Sequence, residues 1–300
     1  MKIVIPQDLN LNEEEQLRLS KLGEFVYYKD LAQNYDEWLE RCSTADIICT
    51  GKFGLKQKVY DLKNVFISLP FVGTNFLDIE KLKAKNIKVA RCPGCNKEAV
   101  SEWIIFMILN LLRGFNQFVN QTDIKIRRPG VAKGLLRKNI TILGKGNIGS
   151  RVGEICQAFG MKVNFFEKGN NLIGSIRDAD VVVNVLSSNP STKDLLDQEF
   201  FNAFKKGSYF ITVTSSEIYD VVALLKALDD DILAGVANDC GSIQFGDVND
   251  EAYLKFVKHP KVLATPHIAH NSDVTDRTGN KMMIDNIEAY LNGKPINLVY

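Results

Sequence analysis

Gly144-Lys145-Gly146-Asn147-Ile148-Gly149 follows a short apolar run, NITIL at 139–143, and opens a helix-like segment that ends near Gly160, where KVNFF begins. In that context the three glycines have separate physical jobs: a tight turn, close approach of the backbone to a pyrophosphate, and close packing of helix on strand. The start of the helix also offers N–H groups that lack intrahelical partners to an anion. About 20 residues on, Glu167 ends the next strand, where a carboxylate accepts hydrogen bonds from an adenosine ribose and disfavours a 2′-phosphate. Binding of a dinucleotide is the chemistry indicated, NAD ahead of NADP, with Lys168 beside Glu167 as a counterweight. The alternative is a glycine-rich turn that binds nothing.

Such a loop needs a parallel sheet to hold it. The first ninety residues alternate β-rich runs (2–5, 25–28, 45–50, 65–69) with helical segments, continuing through a helix over Asp78–Lys85 and a strand over Ile87–Ala90. One long helix is expected from about Lys97 to Val119, then a basic loop from Lys125 to Lys138. A second series starts at Asn139: NITIL, KVNFF, VVVNVL, YFITV, ILAGVA and KVLAT, with helices over Asp197–Phe204 and Val221–Asp229. A final helix runs from Asp273 to Leu291 and stops at Asn292-Gly293.

At 300 residues the chain has room for two domains, and 45% hydrophobic residues exclude a disordered chain. Its net charge of +1 recruits neither nucleic acid nor membrane. MKIVIPQDLN is too soon interrupted to be a signal peptide, so a cytoplasmic location is expected. The apolar run Trp103 to Leu112 falls well short of the roughly 20 residues of a membrane span and reads as a buried helix. Six scattered cysteines argue against a disulfide scaffold. Cys92 and Cys95 form a lone C-x-x-C; a structural loop is expected there, redox or metal chemistry being the lesser alternative, and no metal site is predicted.

Between about Ser68 and Gly293 the chain carries, in order, Phe71-Val72-Gly73-Thr74-Asn75, PGCNKEAVSEW (93–103), GLLRKNITILGKGNIG (134–149), FGMKVNFFEK (159–168), NPSTKDLLD (189–197), FITVTSSEIYD (210–220), LAGVANDC (233–240) and TPHIAH (265–270). These blocks and their ordering resemble the D-isomer-specific 2-hydroxyacid dehydrogenase family. The resemblance implies an α/β chain in which a doubly wound Rossmann dinucleotide-binding domain, 97–269, is inserted into a smaller flavodoxin-like α/β domain, 1–96 and 270–300. It implies NAD-dependent hydride transfer with a small 2-hydroxy or 2-oxo acid. Gly144, Gly146, Asn147, Ile148, Gly149, Glu167, Val213, Thr214 and Asp239 would then serve the cofactor, Asp239 orienting the carboxamide. Val72, Gly73, Thr74 and Asn96 would meet the substrate, backbone amides of the 71–75 loop holding its carboxylate. A homodimer is implied too, with the Trp103 to Leu112 helix suited to burial in it.

His267 matches the family's acid/base residue, with His270 as its neighbouring substitute, while His259 ahead of Pro260 reads as a solvated loop residue. Two positions depart from the pattern. Ser215 stands where the family has its substrate-binding Arg, removing a two-pronged cationic clamp, and Gln244 stands where it has a Glu. Gln244 can hydrogen-bond His267 without stabilising its charged form, and Lys97, Arg127 and Arg128 are candidate replacement cations. Three readings follow: an oxidoreductase on a 2-oxo acid, a dinucleotide-binding sensor or interaction protein, and an enzyme for an uncharged carbonyl.

Overall fold

The computed structural model describes residues 1–119, 132–239 and 251–300. Cys240, Gln244, Arg127 and Arg128 lie outside them, as do residues 125–131 of the 125–138 stretch. The chain divides into two compact units, Met1–Asn96 with Asn271–Tyr300, and Lys97–His270.

The first unit begins with β1 (Lys2–Ile5), α1 (Glu13–Ser20), β2 (Glu24–Tyr27), α2 (Tyr35–Cys42), β3 (Ile47–Cys49), α3 (Leu55–Lys58), β4 (Phe66–Ser68), α4 (Ile79–Ala84) and β5 (Lys88–Ala90). Asparagine and aspartate caps start α1, α2 and α4: at α1 the Asn12 side chain accepts from the Glu15 N–H and the Glu15 carboxylate accepts the Asn12 N–H, a reciprocal box. The strands pair in parallel in the order β2-β1-β3-β4-β5, so the order reverses between β1 and β3.

In the second unit α5 (Lys97–Arg113) and α6 (Phe115–Phe118) precede β6 (Asn139–Leu143), α7 (Asn147–Ala158), β7 (Lys162–Phe166), α8 (Leu172–Ile176) and β8 (Val181–Asn184). Then come α9 (Gln198–Asn202), β9 (Ser208–Thr212), α10 (Val221–Asp229), β10 (Leu233–Asn238), α11 (Glu251–Lys258) and β11 (Val262–Ala264). The single helix expected over 97–119 is two: Gly114 adopts a left-handed conformation (φ 59°) that closes α5, an ending helical periodicity does not reveal. The parallel sheet runs β11-β10-β9-β8-β6-β7, with its reversal between β6 and β8. Val181 and Val183 point into one core with α5 and α7, and Val182 into the opposite core with Phe200, Phe210 and Leu224. Covered on both faces, β8 and β9 are buried at every residue, which is why their sequences are apolar runs with no polar alternation.

The C-terminal helix α12 (Asp273–Leu291) returns to the first unit. Met283, Ile284 and Ile287 pack with Ile3, Ile5 and Phe66, and the Tyr290 ring stacks on Phe66 at 4.0 Å. Close approach is permitted by Gly279, where an added Cβ would lie 2.3 Å from the Pro70 carbonyl oxygen.

Candidate active site

The six strands of the second unit end on one row. Phe166, Leu143, Asn184, Thr212, Asn238 and Ala264 are register partners across β7, β6, β8, β9, β10 and β11. The residues that follow this row are Glu167, Gly144, Val185, Val213, Asp239 and Thr265. The carboxyl edge of an open parallel sheet, at its switch point, is where such folds bind ligands, and Gly144 follows β6 at that reversal.

The glycine loop is shaped by contact. Gly144 has φ 102°, and its N–H donates to the Phe166 carbonyl at 3.0 Å, docking the loop on the end of β7. A Cβ on Gly149 would lie 2.0 Å from the Gly144 carbonyl oxygen, and one on Gly153 would lie 2.6 Å from the Phe165 ring, so α7 rests directly on loop and strand. At Gly146 an added Cβ would meet nothing within 4 Å. Gly146 is the N-cap of α7 and makes no side-chain cap, so the first-turn N–H groups of Asn147 and Ile148 face an open cradle. That cradle fits a pyrophosphate. Glu167 is exposed and pairs with Lys145 at 3.8 Å.

Under the edge lies a buried polar cluster that the sequence reading missed. The Asn184 amide donates to Thr212 Oγ1 (3.2 Å) and Thr214 Oγ1 (2.8 Å) and accepts from the Leu186 N–H. One strand over, the Asn238 amide donates to the Tyr219 hydroxyl at 2.6 Å. These bonds satisfy polar groups that would otherwise be costly to bury. The signal was an asparagine ending each apolar run, VVVN and LAGVAN. Thr214 is held in this cluster; Ser215 is half-buried and its Oγ accepts the Glu217 N–H at 3.2 Å, closing a turn.

Asp239, 2% exposed, binds the segment that carries His267. Its Oδ1 accepts from Thr265 Oγ1 (2.5 Å) and the Ile268 N–H (2.9 Å), and its Oδ2 from the Ala269 N–H (2.7 Å). Oδ2 accepts one of these bonds, Oδ1 two. His267 itself is left-handed (φ 56°), a conformation unusual for its type, and its ring lies edge-on to that of His270 with centroids 5.0 Å apart. β6 and β11 are four strand spacings apart, roughly 19 Å. A ligand reaching from the glycine loop toward His267 must therefore be elongated, as a dinucleotide is.

Two expectations need correction or placing. His259 is no solvated loop residue: its side chain is 15% exposed, Nδ1 accepts the Lys261 N–H at 3.2 Å, and Nε2 lies 3.5 Å from Asp229. The bond to a residue two positions on and the neighbouring helix α10 fold it inward. Cys92 and Cys95 are buried, their thiols directed at the carbonyl oxygens of Leu69, Gly279 and Pro70. Burial pushes the Cys95 thiol up to about 11 and Cys92 higher still, so both are held as neutral thiols.

In the first unit, Val72, Gly73 and Thr74 lie in the loop after β4, where Thr74 is buried and its carbonyl accepts the Leu77 N–H at 3.0 Å. An added Cβ on Gly73 would meet nothing within 4 Å, and Asn96 is half-buried in the turn at the end of 92–96.

The family model described as D-isomer specific 2-hydroxyacid dehydrogenase, NAD binding domain, matches residues 105–269. The chain belongs to that family. It is thus a member of a family of NAD-dependent oxidoreductases, and the carboxyl edge described above falls inside the matched domain. A D-lactate dehydrogenase of Staphylococcus aureus (strain Mu50) is 24% identical over 256 residues, 76% of this chain and 78% of the relative. A D-3-phosphoglycerate dehydrogenase of Haemophilus influenzae is 31% identical over 214 residues, 66% of this chain and 51% of the relative. Among solved structures, an acyclic imino acid reductase in complex with NADPH and D-arginine has a TM-score of 0.83 at 22% identity, each chain covered over 100% of its length. That last likeness is one of fold.

Proposed function

We propose that this family member exchanges hydride between NAD and a small 2-hydroxy or 2-oxo acid, with His267 as the proton donor and acceptor. When bound, NAD supplies or takes up the hydride. The chain's own residues do the rest. The α7 N-terminus and the Gly144 to Gly149 loop hold the pyrophosphate, Asn147 and Ile148 through backbone N–H groups, and Glu167 takes the ribose hydroxyls. Thr214 and Ser215 present backbone near the nicotinamide ribose, beside Val213, and Asp239 orients the carboxamide. Val72, Gly73 and Thr74 receive the substrate carboxylate with Asn96 nearby, while Ser215 and Gln244 stand in for the family's Arg and Glu.

The observation that carries this reading is the Asp239 clamp. A buried carboxylate is used to hold a turn in which a histidine sits in a left-handed conformation at the carboxyl edge of the sheet. Holding a general acid or base in one place is the arrangement acid–base catalysis needs, and such help is typically worth ~10²–10⁴ in rate.

A second reading, binding without turnover, is favoured by one observation: Ser215 brings no charge, and its hydroxyl is occupied by the Glu217 N–H. The two part in one cuvette. The protein is titrated with NADH by fluorescence, then given 2-oxo acids and, separately, aldehydes, while reduced-nicotinamide absorbance is followed. Consumption on a 2-oxo acid supports the oxidoreductase; consumption on aldehydes alone moves the substrate to uncharged carbonyls. Binding with no consumption supports the sensor.

We further propose a homodimer, supported by the exposed rings of Phe106 (56%) and Phe115 (54%) on α5 and α6. Size measurement in solution tests it. A cytoplasmic location is supported by the free thiols of Cys42, Cys49 and Cys156, which a reducing compartment preserves.

A further inference from the structure

We propose that Lys145 makes the adenosine end of the site accept a 2′-phosphate, so that the protein binds NADPH as well as NADH in spite of Glu167. The inference rests on the reading of the glycine loop as a dinucleotide site and goes beyond it in assigning cofactor choice to a residue inside the loop.

Backbone geometry supplies the first argument. The Gly144 N–H donates to the Phe166 carbonyl at 3.0 Å, so the next residue of each segment, Lys145 and Glu167, leaves the sheet side by side. Their charged atoms are 3.8 Å apart, and both side chains are about half exposed, at 51% and 56%. Lys145 is also supported from below: its Nζ lies 5.3 Å from the centroid of the Phe165 ring, and that ring is packed against Gly153 of α7. The ammonium is thus held beside the carboxylate.

Charge supplies the second. A lone carboxylate at the end of the second strand discriminates against NADP because it repels the phosphate on the ribose that it would otherwise bind. Here the carboxylate has a cation at contact distance, and Lys168, exposed and adjacent in sequence, adds another. One negative and two positive charges leave this corner net positive, attractive to a phosphate at close range.

Space supplies the third. β7 is the edge strand of the described sheet, and after Glu167 the chain turns through Gly169 (φ 100°) directly to Asn171, the N-cap of α8. An added Cβ on Gly169 would meet nothing within 4 Å, so the backbone on that side leaves room for the extra group.

The test measures dissociation constants for NADH and NADPH by fluorescence titration of the wild type, Lys145→Ala, Lys145→Gln and Glu167→Gln, each checked for an unchanged thermal midpoint. The wild type should bind NADPH within about tenfold of NADH. Both Lys145 variants should weaken NADPH at least about tenfold more than they weaken NADH, and Glu167→Gln should tighten NADPH. Raising salt should weaken NADPH more steeply than NADH, because exposed charges are screened. A wild type that binds NADH but discriminates against NADPH by a hundredfold or more overturns the proposal, as do Lys145 variants that lose both cofactors equally or neither. Binding of neither cofactor by the wild type would overturn the dinucleotide reading itself, a distinct failure.

Discussion

Asp239 clamps the chain on both sides of His267, accepting the Thr265 hydroxyl at 2.5 Å before it and the Ile268 and Ala269 N–H groups at 2.9 and 2.7 Å after it. The three bonds bridge positions 26, 29 and 30 residues apart and hold a histidine at φ 56°. Asp239→Asn places an amide donor opposite backbone donors, leaving a buried N–H unsatisfied at a cost of roughly 2 kcal/mol. Turnover should fall by about 10²-fold as the turn loosens. Urea unfolding and steady-state kinetics measure the two effects; an unchanged rate in a folded variant refutes the positioning role.

For His267 itself the informative variant is His267→Asn. Asparagine tolerates the left-handed backbone better than most residues, so the turn is kept while the proton donor goes. The rate should drop by ~10²–10⁴ with the NADH dissociation constant unchanged. A drop below tenfold would pass the acid–base role to another group, His270 first.

Two glycines of one loop should respond in opposite ways. Gly149→Ala sets a methyl 2.0 Å from backbone, so the usual gain of about 1 kcal/mol for alanine in a helix is reversed and the thermal midpoint falls. Gly146→Ala meets nothing within 4 Å in the protein and has an ordinary φ of −82°. Its thermal midpoint should stay at the wild-type value while NADH affinity falls by about tenfold or more, as the methyl intrudes on the pyrophosphate. Calorimetry with and without NADH distinguishes these outcomes.

Restoring the family residues provides a test of substrate class. Ser215→Arg with Gln244→Glu should raise kcat/KM on 2-oxo acids by about tenfold or more, a bidentate guanidinium supplying the missing carboxylate clamp. Loss of the Ser215 Oγ bond to the Glu217 N–H costs about 1 kcal/mol of stability. No gain in a folded double variant counts against placing Ser215 at the substrate.

Asp180 predicts acid sensitivity of the second unit. Burial pushes its carboxyl up, but Lys205 at 2.8 Å, the Asn139 N–H at 2.9 Å and the nearby Lys138 charge outweigh burial and hold it below the ordinary value. A carboxyl depressed in the folded state contributes stability that is complete above its unfolded value, about 3.9, and is lost as pH falls through the folded value. Asp180→Asn should cost roughly 2 kcal/mol at pH 7. The difference in urea midpoint between wild type and variant should shrink once pH drops below about 4.

Two βα series, the glycine loop after NITIL and the acid ending KVNFF were legible in the sequence, because apolar runs and glycine spacing are properties of contiguous segments. The helix Val221–Asp229 and the helix Asp273–Leu291 were legible residue for residue, each with a cap just before it. The break at Gly114 was not, since α5 and α6 share one apolar periodicity and a single left-handed residue separates them. His259 turned inward because it packs beside α10, which its polar neighbours in sequence do not report. Strand order was decided only in three dimensions, and with it the row on which Glu167, Gly144, Asp239 and Thr265 emerge together. The bonds joining Asp239 to the His267 turn, Asn184 to Thr212 and Thr214, and Lys145 to Glu167 depend on that order. Local sequence determines which residues form strands; the burial of both sheet faces decides which strands are neighbours, and so which distant side chains meet.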